Sequence, residues 1–170
     1  EQKDGMDAAL CVYNPHTQTV EFAGAFNPMW IIRGLKDGKS EMADSRIGLQ
    51  ENTAEFKRLI YHEPDGTAFE LREFKPDRMP LSISDNLKPF RSHWVQLNPG
   101  DTVYLFSDGY EDQFGGPMGK KFKVNRLREL VLNICSKSMP DQKTLLDRTI
   151  EEWKGYDEQT DDITVIGVRI

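Results

Sequence analysis

LNPGDTVYLFSDGYEDQFGG, residues 97–116, is the stretch that decides how this chain must fold. Asn98-Pro99-Gly100-Asp101 reads as a turn, because Pro presets φ and Gly accepts the left-handed conformation that a reversal needs. The run TVYLF at 102–106 is almost continuously apolar. That pattern predicts a central strand covered on both faces rather than one with a wet side. Asp108 follows the strand closely and precedes Gly109. A carboxylate there stands at the mouth of a buried strand, and the glycine lets other backbone come close. Asp-Gly after a strand is more often a plain turn than a ligand site, so the pair needs support from elsewhere. If GYED (109–112) makes one helical turn, Asp108 and Asp112 project from one side of it.

Upstream, SHWVQL (92–97) is expected to pair with TVYLF as a hairpin across the 98–101 turn. RLIYH (58–62) and TAFELREF (67–74) flank Glu63-Pro64-Asp65-Gly66, a second hairpin. AALCVY (8–13) and VEFAG (20–24) flank Asn14-Pro15 as a third. MWIIR (29–33) is another strand, before the turn Lys36-Asp37-Gly38-Lys39, and residues 40–56 are polar and weakly patterned. Downstream, VNRLRELVLNIC places Leu127, Leu130, Val131 and Ile134 at helical spacing. PDQKTLLDRTIEEW does the same with Leu145, Leu146, Ile150 and Trp153, and Pro140 stands where a helix start accepts it. DITVIGVRI closes as a strand, with Asp161 and Asp162 just before it. Adjacent strand residues point to opposite faces, so at most one of these two is expected beside Asp108. Strands, then helices, then a last strand predict an α+β domain with antiparallel sheets.

The 170 residues suit one domain, and 38% hydrophobic with 29% charged content is that of a globular chain, not a disordered one. The formal net charge is −6, and no Lys/Arg cluster suggests a nucleic-acid face, so no nucleic-acid partner is expected. Cys11 and Cys135 read as buried free thiols, and an intracellular, reducing compartment fits them. No apolar run approaches the ~20 residues that span a bilayer. GGPMGKKF fails as a phosphate loop, because position 114 is Phe and position 121 is Lys. His16, His62 and His93 are isolated and read as surface or hairpin residues.

The order DGMDAALCVYNP, VEFAGAFNPMWIIR, KPDRMPLSIS, GDTVYLFSDGYEDQFGG and QTDDITVIGV resembles the C-terminal two-thirds of the metal-dependent phosphatase (PPM, type 2C) superfamily, closest to its SpoIIE-like branch. The resemblance covers nearly the whole chain as one domain, 1–170, apart from about 38–68, which looks like an insertion. It implies an antiparallel β-sandwich flanked by helices, incomplete at the N-terminus. It further implies two divalent cations, Mn²⁺ or Mg²⁺, bridged by a water between the sheets. Asp108 and Gly109 match the family's metal-binding DG motif, Asp161 its D[DN]xT aspartate, Asp112 a carboxylate that serves an additional metal in some members, and Asp162 a supporting position. Asn27, in GAFNP, falls at a turn read as structural.

The implied activity is hydrolysis of phosphoserine or phosphothreonine on a regulatory protein, often an anti-sigma-factor antagonist in bacterial relatives. An upstream sensor domain, itself sometimes membrane-attached, would accompany a cytoplasmic catalytic domain. The family's Asp with a GHG-type turn, expected upstream of DGMDAAL, has no counterpart here. This chain alone is therefore expected to be inactive and to present an unpaired sheet edge that invites dimerisation. The alternative is a non-catalytic pseudophosphatase that uses the fold to hold a protein.

Overall fold

The computed structural model describes residues 5–35, 47–52, 56–82 and 88–170. Thirteen strands and three helices occur among them: β1 (Gly5–Met6), β2 (Ala8–Asn14), β3 (Thr19–Ala25), β4 (Met29–Leu35), β5 (Ile47–Asn52), β6 (Phe56–His62), β7 (Ala68–Phe74), β8 (Leu81–Ser82), β9 (His93–Gln96), β10 (Thr102–Phe106), α1 (Gly109–Asp112), β11 (Phe114–Gly115), β12 (Lys120–Lys121), α2 (Val124–Ile134), α3 (Met139–Lys154) and β13 (Val165–Arg169). A six-stranded sheet runs β13-β10-β4-β7-β6-β5 and a three-stranded sheet β2-β3-β9; β1-β8 and β11-β12 form two small ribbons. Every strand pairing within these sheets is antiparallel.

The continuous apolar runs at 29–33 and 102–106 now have their reason. Successive strand residues face opposite sides, and at β4 and β10 both sides of the six-stranded sheet are covered. Met29, Ile31 and Val103 join Val20, Phe22, Phe74, Val95 and Leu97 in the layer between the two sheets. Trp30, Ile32, Tyr104 and Phe106 turn the other way, under Leu127, Val131 and Leu132 of α2 and Leu146 and Ile150 of α3. α3 starts where Ser138 Oγ accepts from the Asp141 N–H, with Pro140 in the first turn, and ends at Gly155. The predicted antiparallel sandwich with flanking helices is the fold observed.

Three local expectations are corrected. β9 and β10 do not form a hairpin: β9 pairs with β3 and β10 with β4 and β13, so the 98–101 turn carries the chain from one sheet to the other. Gly100 supplies the left-handed φ of 92° that this crossing needs. His93 is no surface residue, being 6% exposed and stacked on Phe22 at a 5.8 Å centroid distance. The last strand begins at Val165, so Asp161 and Asp162 lie in the loop before it and strand alternation does not govern them.

The Lys36–Lys39 turn and part of the 38–68 segment lie outside the described residues, while residues 47–52 form a strand paired with β6. Both cysteines are free; burial pushes the Cys11 thiol up to about 11 and the Cys135 thiol up to about 12, so both stay protonated near neutral pH. Among the described residues no helix is long and apolar enough to cross a membrane.

Candidate metal centre

Asp108 stands at the N-cap position of α1, yet its side chain makes no capping bond there. The carboxylate is thus left for the space beside β10 instead of being used on the helix end. The turn itself is closed by the Asp112 N–H donating to the Asp108 carbonyl at 2.9 Å. Tyr110, 1% exposed, anchors α1 by donating its hydroxyl to the Leu146 carbonyl of α3 at 2.8 Å.

The second acidic segment is fastened onto this turn. Ser107 Oγ donates to the Asp162 carbonyl at 2.9 Å and accepts from the Thr164 N–H at 3.0 Å, while the Ser107 N–H donates to the Thr164 carbonyl at 3.0 Å. A Cβ on Gly109 would run into the Asp162 carbonyl. Gly109 is therefore required by close approach of two loops, and Asp162 contributes its backbone while its residue is exposed.

Gln113 completes the fastening. It is fully buried; its Nε2 donates to the Glu158 carbonyl at 2.9 Å and its Oε1 accepts from the Thr160 N–H at 3.2 Å. Gln113→Leu should release residues 158–162, with a stability loss of about 1–3 kcal/mol from the broken bonds. Faster amide exchange confined to that loop is the expected signature, and unchanged exchange there would deny Gln113 this role.

The result is a group of like charges. Asp108 is an exposed residue, yet partial desolvation raises its carboxyl above its ordinary value, and repulsion from Asp161, Asp112 and Asp7 adds to the rise. Burial also raises Glu111, followed by repulsion from Asp112, Asp108 and Glu73, with Arg128 working the other way. Asp112 has a partner besides, Lys121 Nζ at 2.7 Å, both side chains well exposed. Asp7, Glu73, Asp108 and Glu111 line a cleft of about 980 Å³, which Asn27 also borders. Asp161 acts on Asp108 from outside that lining.

The donor chemistry fits a hard divalent cation: carboxylate oxygens whose mutual repulsion a cation relieves. Among the described residues no group of three or more His, Cys, Asp or Glu side chains is placed to share one ion. A Mg²⁺-like ion that keeps most of its waters and takes one or two carboxylates is the kind this arrangement suits.

Sequence reading singled out Asp108, Gly109, Asp112, Asp161 and Asp162; the structure places the first three on one turn and fastens the loop carrying the other two against it. It missed Asp7, Glu111 and Gln113. Asp7 and Gln113 sit inside stretches already singled out, DGMDAAL and DQFGG. Nothing in their local pattern signals that one faces Asp108 and the other fixes the loop before Asp161.

Similarity to known proteins agrees with this fold. The chain superposes on the SiaA-PP2C domain of Pseudomonas aeruginosa with a TM-score of 0.68 and 26% identity, covering 96% of this chain and 51% of that one. It superposes on the phosphatase domain of SpoIIE from Bacillus subtilis, solved after presoaking with Mn, with a TM-score of 0.53 and 14% identity, covering 96% and 56%. The chain thus spans about half the length of the solved domains it matches. No curated protein matches it. The family model described as Stage II sporulation protein E (SpoIIE) matches residues 53–170. A chain with this fold, and with both acidic motifs inside the matched span, belongs to the SpoIIE family.

Proposed function

We propose that this chain forms the C-terminal part of a Mn²⁺- or Mg²⁺-dependent protein serine/threonine phosphatase, with Asp108 and Asp161 as metal ligands. One observation carries the reading. The Asp108 turn and the Asp161 loop, more than fifty positions apart in sequence, are hydrogen-bonded together at Ser107 so that the carboxylates repel. Asp108 and Asp161 are both exposed, so water and salt temper this repulsion, and a cation held between them would replace it with attraction. When bound, such a cation supplies an acidified water and screens the charge of a phosphate.

The chain's own residues do the rest. Ser107 and Gln113 hold the second acidic loop against the first. Gly109 lets the two backbones touch. Asp112 stands one helical turn on, available to a further cation if Lys121 lets go. The substrate in this reading is phosphoserine or phosphothreonine on a regulatory protein, which the cleft beside Asp108 would receive.

A second reading has an observation of its own. No three-residue acidic or His/Cys cluster is placed to share an ion among the described residues, which favours a non-catalytic module that binds a partner through the same cleft. Mn²⁺-dependent hydrolysis of p-nitrophenyl phosphate by the product of the complete gene, beside this 170-residue chain, separates the two. The phosphatase reading expects turnover from the complete product, abolished by EDTA, and little from this chain alone. A folded complete product without metal-dependent turnover would leave the binding module standing.

A further inference from the structure

The cleft beside Asp108 is not acidic throughout. Lys75, Arg78 and Arg91 line it as well, on a chain whose net charge is −6. Its arginine end is built on a braced platform. The Asp77 N–H donates to the Gly24 carbonyl at 2.9 Å, and the Asp77 carbonyl accepts from the Phe26 N–H at 3.0 Å. The Asp77 carboxylate in turn accepts from the Arg91 backbone N–H at 2.7 Å and from its guanidinium at 3.4 Å. Arg91 remains 57% exposed after that pairing, which leaves most of its five donors free to meet a ligand. Arg78 is exposed and makes no ion pair among the described residues. Phe26, 44% exposed at a φ of 61° that bulky residues rarely adopt, stands on the same platform and lines the same cleft.

About 980 Å³ is far more than a phosphoryl group fills and stands at the upper end of small-molecule pockets, leaving room for the residues on either side of it. We infer that the arginine end, Arg78 with Arg91, receives acidic side chains flanking the phosphorylated residue of the substrate protein, an inference that rests on the phosphatase reading. The rest of the cleft lining, with Asp7, Glu73, Asp108 and Glu111, is acidic, so an acidic segment is accepted only along the side where Arg78 and Arg91 stand. The arginines therefore set which segment enters and in which direction it lies, the role that charge complementarity plays at protein interfaces. Guanidinium groups suit this task because they meet carboxylates with two parallel hydrogen bonds.

The test is fluorescence anisotropy of labelled phosphoserine peptides titrated with this chain in Mn²⁺. One peptide carries Asp and Glu on both sides of the phosphoserine, one carries Lys there, and one is acidic but unphosphorylated. Two exposed charge pairs give an expected preference of about tenfold for acidic over basic flanks. Arg78→Glu and Arg91→Gln, made separately and together, should erase it, while Arg78→Lys should keep most of it. Circular dichroism confirms that each variant is folded. Equal affinity for acidic and basic flanks, a preference that survives both substitutions, or no binding of the acidic phosphopeptide overturns the inference. Failure of the phosphatase reading looks different: the unphosphorylated acidic peptide then binds as tightly as its phosphorylated twin, with the flank preference intact.

Discussion

Arg33→Met should destabilise the folded chain by about 3–5 kcal/mol, the loss expected when one partner of a buried pair is removed and the other is left charged. Asp101 is 1% exposed, and its carboxylate accepts from Arg33 Nε at 2.9 Å and from a second guanidinium nitrogen at 2.6 Å. It also accepts from the Asn98 N–H at 2.8 Å, so the same carboxylate closes the turn that passes the chain between sheets. Methionine keeps much of the arginine's length and packing but none of its charge, which isolates the electrostatic part. Arg33→Lys keeps the charge and loses the two-pronged geometry, and should fall between wild type and Arg33→Met. The measurement is the urea unfolding midpoint at constant slope. A loss below about 1 kcal/mol would place this pair with ordinary surface ion pairs and remove it as the brace of the turn.

That turn also marks where the sequence was legible and where it was not. Its residues announce a reversal, and Gly100 and Asp101 do what their types suggest. Which strands the reversal joins is set by long-range packing. Val95 and Val103 both face the layer between the sheets, but from opposite walls of it, and alternation looks the same for a hairpin and for a crossing between sheets. His93 escaped for a related reason: its neighbours Phe22 and Phe74 come from strands far away in sequence.

The acidic motifs were readable because each stands beside a strongly apolar strand. Asp7 also stands just before an apolar run, AALCVY, but nothing in that pattern points to Asp108, and only the fold brings the two together. The glycines of QFGG were unexplained as well. They lie against Trp153 of α3, where a Cβ on Gly115 would strike the Trp153 carbonyl and one on Gly116 its ring.

Asp108→Asn should separate stability from activity, lowering metal-dependent phosphate hydrolysis by the complete gene product at least about a hundredfold, the upper end of what even residues behind a metal's ligands cost when replaced. Stability should move the other way. A carboxyl held above its ordinary range is disfavoured as the anion in the folded state, so at neutral pH the ionised Asp108 works against folding. That penalty fades as pH falls and the group takes up a proton, and an amide of the same shape removes it at every pH. The variant should therefore melt at the same temperature as wild type or higher near pH 7 without added metal, with the difference shrinking toward pH 4. Adding Mn²⁺ should raise the melting temperature of wild type and leave the variant where it was, because the ion then binds the folded state of one and not the other. A turn residue with no ligand role gives a different pattern: replacing it changes neither the response to Mn²⁺ nor turnover. If Asp108→Asn keeps full activity, the carboxylates gathered around β10 are not a metal centre and the assignment of Asp161 falls with it.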